Sequence, residues 1–200
     1  MFEELHELLE DKKVSKNKLL AILKEKAQKI SVFDLMEANK YILQDVEFVQ
    51  DKYQDEFRQA YVKQFIGHIN NIKKDNTDYD SMGKKERIDK KQFEKSLEDL
   101  HNVYDGVDFD KDKVQLIYCL VSLYATFILN EPIHSLDTPF PGNLKIKKLG
   151  KFYYCPVKAT QKNTEGAVCN ICISREIDYD PKLNASSSGL FFKKMHFIVI

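Results

Sequence analysis

Proline is missing from the first 131 residues of this 200-residue chain; all five prolines lie at or after Pro132. A stretch without proline keeps every backbone N–H available and permits long uninterrupted helices. Glycine is scarce, and four of the seven glycines lie at or after Gly142. Arginine is nearly absent: Arg58, Arg87 and Arg175 stand among 31 basic residues, the rest being lysines. Lysine lacks the planar fork that reads phosphates and guanine edges bidentately, so its dominance speaks for a solvated surface. Net charge is also missing, with 31 Lys+Arg against 31 Asp+Glu. Whole-chain attraction to nucleic acid or to an acidic membrane is thereby excluded.

No run approaches the roughly 18 apolar residues of a membrane helix. The longest candidate, Leu116 to Leu129, contains Ser122 and Thr126. The acidic start, Met-Phe-Glu-Glu-Leu-His-Glu, has no signal-peptide core. A cytoplasmic protein without a membrane partner is expected. There is no Walker glycine loop, GxSxG, HExxH or GxGxxG, which removes the most easily recognised enzyme classes but not enzymes in general.

What is present divides near Asn130-Glu131-Pro132. The first 130 residues carry a net −4, residues 131 to 200 a net +4. The organisation expected is a helical bundle over 1–131, a hairpin and cysteine module over 132–185, and an apolar tail over 186–200. The fold class is mainly α: four or five helices with a small C-terminal β-hairpin and a cysteine knuckle.

Leu19, Leu20, Leu23, Ala27 and Ile30 step by three and four, as an amphipathic helix requires. Ser31-Val-Phe-Asp34 has the form of a capping box. Beyond it a stripe runs Ile42, Val46, Val49, Tyr53, Phe57, Ala60/Tyr61, Phe65, His68, Ile72 and holds its spacing for about eight turns. Asp89 opens a helix through Phe93, Leu97, Leu100 and Tyr104, with Gly106 placed to end it. Leu116 to Leu129 reads as the buried central helix, its core being Leu116, Cys119, Leu120, Leu123 and Phe127. The acidic run Asp105, Asp108, Asp110, Asp112 lacks calcium-loop spacing and is read as capping. Asp75 to Lys85 reads as a mobile loop. Leu144-Lys-Ile-Lys and Phe152-Tyr-Tyr-Cys-Pro-Val flank Gly150-Lys151, a hairpin signal. Leu190 to Ile200 is either a loose tail reached through Ser186-Ser-Ser-Gly189, the preferred reading, or an added strand.

Chemistry concentrates in Cys155, Cys169-x-x-Cys172 and His134. Two thiolates two residues apart can turn onto one tetrahedral ion. Cys155 at the hairpin end and His134 in the approach segment would complete a Cys3His set. Three thiolates and an imidazole suit zinc, with an iron–sulfur cluster the second choice. The alternatives are reduced core cysteines, a redox dithiol at Cys169 and Cys172, and a metal-dependent enzyme with an open coordination position. Cys119, within the apolar helix, is a core residue, and His68 and His101 are packed or surface histidines. Lys145, Lys147, Lys148, Lys151, Lys158 and Lys162, interleaved with Phe152, Tyr153 and Tyr154, form a basic ribbon that could hold single-stranded nucleic acid; a solvated hairpin face is preferred.

His134-x-x-x-Thr138-Pro-Phe-Pro-Gly142, Tyr153-Tyr-Cys-Pro-Val157 and Gly166-Ala-Val-Cys-x-x-Cys172 together resemble the C-terminal block of a family of uncharacterised small proteins from methanogenic archaea. The resemblance covers roughly residues 131 to 175. It implies kinship and a cytosolic archaeal setting, and carries no activity, since that family has none established.

Overall fold

A computed structural model describes residues 1–46, 51–82, 87–140, 144–164 and 167–177. Among these, five helices of eleven residues or more form the body: α2 (Lys16–Gln28), α3 (Val32–Val46), α4 (Asp51–Lys74), α5 (Lys90–Val103) and α6 (Lys113–Leu123). A short α1 (Phe2–Glu7) precedes them and a one-turn α7 (Lys158–Gln161) follows.

Local chemistry starts these helices. The Ser15 hydroxyl accepts from Lys18 N, the Asp89 carboxylate from Gln92 N and the Asp112 carboxylate from Gln115 N, each satisfying an orphan amide of the first turn. At α3 the capping box is reciprocal. Ser31 Oγ accepts from Asp34 N, while the Asp34 carboxylate accepts from Ser31 N at 2.6 Å. The shorter Asp serves where Glu is usual. Gly106 takes φ +73° three residues beyond α5, a conformation costly for any residue with a Cβ.

The body closes around α6. Leu116, Cys119, Leu120, Leu123 and Phe127 are all buried, as their apolar run requires. The run is not one regular helix, however. After Leu123 the backbone widens into a π-helix over Tyr124–Leu129 and ends at Asn130 in the left-handed region, φ 54°. The ammonium of buried Lys16 donates to Ile128 O at 2.8 Å, supplying a partner for a carbonyl at that end.

Two expectations are corrected. The eight-turn stripe does not belong to one helix: α3 and α4 are separate and pack against each other. An apolar stripe records which face is buried, not whether the axis continues; Val49 lies outside the described residues. Nor is the segment after α4 loose where it is described. Tyr79–Met82 forms a 3-10 turn. Its carboxylates grip the start of α2: Asp80 accepts from the Ser15 hydroxyl and, at 3.1 Å, from Lys16 N, and Asp78 accepts from Asn17 Nδ2 at 2.6 Å. Residues 83–85 of that segment lie outside the described residues.

The C-terminal part is the expected hairpin with one strand more. β1 (Lys147–Leu149) pairs antiparallel with β2 (Phe152–Cys155) through Gly150-Lys151, with Gly150 at φ +60°. β3 (Arg175–Glu176) then pairs parallel with β2 on its other side. The module is tied to the body rather than separately cored. Ile133, Val168, Ile171 and Cys172 pack with the main core, while Phe140, Ile146 and Cys155 form a small second cluster. The apolar segment 186–200 lies outside the described residues, and no helix among the described residues is long and apolar enough to cross a membrane.

Candidate metal centre

The seam between body and module holds a partly open cavity of about 40 Å3, enough for an ion or a few water molecules. His134, Cys155, Cys169 and Cys172 all line it. They arrive from three places. His134 lies in the segment that leaves the π-helix, Cys155 ends β2, and Cys169 lies in a 3-10 turn, Val168–Asn170, that packs against α5. The remaining walls are mainly apolar, from Phe57, Phe140, Ile146 and Val168.

The sequence thus brings four separated donors to one wall-to-wall space. It does not gather them about a point: among the described residues, no group of three or more His, Cys, Asp or Glu is arranged to hold a metal ion. All four cysteines are free thiols.

The surroundings of Cys155 are specific. Burial pushes its thiol up, while the backbone amides of Val157 and Lys158 and the Lys158 charge act in the opposite sense. Amides directed at a sulfur favour thiolate. Cys169 is pushed up to about 12, by burial first and then by neighbouring Cys172 and Cys155. The His134 ring shares a 2.8 Å hydrogen bond between Nε2 and the Tyr61 hydroxyl. It also packs edge-on to Phe140. Desolvation lowers its pKa to about 4, so it is neutral at pH 7, the state a ligand requires.

Two residues of this seam are not evident as site residues in the sequence. Tyr61 reads there as one more position of an apolar stripe, and only its phenol distinguishes it. Lys158 reads as part of the basic ribbon, yet its ammonium is turned inward, donating to Cys172 O at 2.8 Å and Ser174 O at 2.7 Å. The signal available was its position three residues after a cysteine in Cys155-Pro-Val-Lys.

Other histidines and the fourth cysteine stand apart. Cys119 is buried in α6, its thiol pushed far up by burial. His68 is buried edge-on to Tyr124 with its pKa lowered to about 4 by desolvation, and His101 is exposed against Phe2. In the basic ribbon Lys145, Lys147, Lys148 and Lys151 are exposed. Two of its three aromatic rings already carry a cation. The Arg175 guanidinium lies 3.4 Å from the Phe152 ring centre, Lys151 also sits over Phe152, and Lys148 sits over Tyr153. A ring covered by a cation offers no stacking platform to a base on that face.

Comparison with known proteins places this seam within a family. The family described as an uncharacterised protein conserved in archaea (DUF2115) matches residues 15–177. A UPF0305 protein of Methanothermobacter thermautotrophicus is 33% identical, over 81% of this chain and 96% of its own length. UPF0305 protein MJ0646 of Methanocaldococcus jannaschii is 30% identical, over 78% of this chain and 93% of its own. UPF0305 protein MmarC7_1691 of Methanococcus maripaludis is 29% identical, over 82% and 99%. No solved structure matches. The match runs from the N-cap of α2 through the last described strand, taking in the body and all four donors, and the chain belongs to the DUF2115 family of archaeal proteins.

Proposed function

We propose that this protein carries a structural zinc centre built from Cys155, Cys169, Cys172 and His134, which fastens the C-terminal module to the helical body. The observation that carries the reading is that all four donors line one cavity although they lie up to 38 positions apart in sequence. Backbone amides near Cys155 work against the upward push of burial on its thiol, and His134 is neutral. Tyr61 occupies Nε2 of His134, so the imidazole would ligate through Nδ1. An ion bound at about 2.3 Å to each sulfur would draw the three thiolates together and displace their protons.

The thiol chemistry favours this over a redox dithiol. A catalytic thiol is activated by a lowered pKa, whereas Cys169 is raised to about 12. Four protein ligands make a closed site, which is structural rather than catalytic. A four-thiolate cluster would need Cys119, which is buried within α6 and does not line the cavity. The setting is a reducing cytoplasm, and the role is that of a binding or scaffold protein whose module the metal stiffens.

Elemental analysis of protein purified under reducing conditions tests the reading. One zinc per chain is expected, lost in a C169S/C172S variant. Metal-free protein that is fully folded and takes up no zinc on titration overturns it.

A further inference from the structure

Lys158 is the residue common to both halves of the seam. Its side chain lines the same cavity as the four donors. Its ammonium donates to the carbonyls of Cys172 and Ser174, in the segment that follows Cys169. Two of its three N–H bonds are committed there. Among the described residues it is the only charged side chain lining the cavity.

Charge arithmetic gives that position a consequence. A divalent ion, three thiolates and a neutral imidazole sum to −1. The other walls are mainly hydrocarbon, and an uncompensated charge is strongly disfavoured in such surroundings. With Lys158 the sum is zero.

We infer that Lys158 is the positioning and charge-balancing residue of the metal centre, holding the Cys169–Cys172 turn against the end of β2 and neutralising the ligated ion. The inference rests on the metal reading. It also sets the centre's preference: a divalent ion closes to neutrality, whereas a monovalent ion with the same three thiolates leaves one negative charge.

Cobalt(II) is the probe, because thiolate-to-cobalt charge-transfer absorption reports ligation directly. Metal-free wild type, K158M and K158R are titrated with Co2+ and back-titrated with Zn2+, with far-UV melting of each metal-free form as the control for folding. K158M is expected to bind Co2+ about 10–100-fold more weakly, the usual loss for a group outside the ligand set, with its metal-free melting little changed. K158R, which keeps the charge, is expected to restore most of the affinity. K158M binding as tightly as wild type overturns the inference, as does K158R binding as weakly as K158M. Should K158M not fold, amine acetylation of the wild type replaces it. Loading with Zn2+ is expected to slow modification of Lys158, and equal rates with and without metal overturn the inference. A wild type that gives no absorption and takes up no metal fails differently, and sinks the metal reading together with this one.

Discussion

Replacing Asp75 tests whether the segment after α4 is part of the folded body. The Asp75 carboxylate accepts from the phenols of Tyr79 and Tyr124, each at 2.8 Å, and from Thr77 N at 2.9 Å. Tyr124 belongs to the π-helix and is buried, so this one carboxylate joins the 3-10 segment to the central element. Hydrogen bonds to a charged group contribute about 1.5–3 kcal/mol each, and a buried phenol left without a partner costs about 1–3 kcal/mol. Asp75 is half-buried, which trims these values, and D75A is expected to cost about 2–4 kcal/mol. For a chain of this size that lowers Tm by about 4–16 °C. D75N keeps an acceptor oxygen and loses less. The pH dependence has a definite sign. Burial alone would raise the Asp75 pKa, but the Thr77 amide and the two phenols outweigh it and hold it below 3.8. A depressed folded value means the stabilisation is complete above the unfolded pKa and is lost as pH falls through the folded one. The gap between wild type and D75N, read from urea midpoints, should therefore narrow below about pH 4. A D75A variant within about 0.5 kcal/mol of wild type at pH 7 would refute the anchoring.

Other outcomes follow from the same structure. L120A should cost about 2–5 kcal/mol by chemical denaturation, since Leu120 is fully buried in α6. His68 has its pKa lowered from 6.5 to about 4, so the folded state resists protonation that the unfolded chain accepts. Its contribution, at most about 3 kcal/mol, is present above pH 6.5 and declines as pH falls toward 4, and an H68Q variant should flatten that part of the stability profile. Y61F should weaken Co2+ binding about tenfold by releasing His134 Nε2, measured by back-titration with Zn2+. The basic ribbon should show no appreciable affinity for single-stranded RNA at physiological salt; tight binding abolished by replacing Lys145, Lys147 and Lys148 would reverse that view.

The helices were legible because their signals are local. Asp89, Asp112 and the Ser31–Asp34 pair each act within one turn, and the reading of the acidic run as capping rests on Asp112 alone. Burial of Leu116 to Ile128 followed from an apolar run with no polar face to expose. The misreadings share a different cause. Asp75, Asp78 and Asp80 look like loop residues in sequence because their partners, Ser15, Lys16, Asn17 and Tyr124, are some fifty to sixty-five positions away. The widening of the helix at Tyr124 is equally silent. Its backbone partners change while the apolar character of the run does not, and Lys16, buried by its bond to Ile128 O, looks in sequence like any lysine beginning a helix.

The candidate site divides along the same line. Cys155, Cys169, Cys172 and His134 could be singled out by type and order alone, as a thiol pair, a hairpin thiol and an upstream imidazole, and the four line one cavity. What holds them could not, since charge and hydrogen bonding at the seam depend on which way a side chain turns. Lys148 and Lys151 turn outward onto Tyr153 and Phe152, while Lys158 turns inward onto Cys172 and Ser174. Lys148 stands directly opposite Tyr153 across the β1–β2 pair, and Lys151 lies in the turn beside Phe152. Lys158 lies beyond β2, at the start of α7 and directly after Cys155-Pro-Val, where the chain leaves the strand. That position commits residue 158 to the seam. Half-buried there, Lys158 gives its ammonium to two backbone carbonyls, a commitment that its sequence neighbours do not announce.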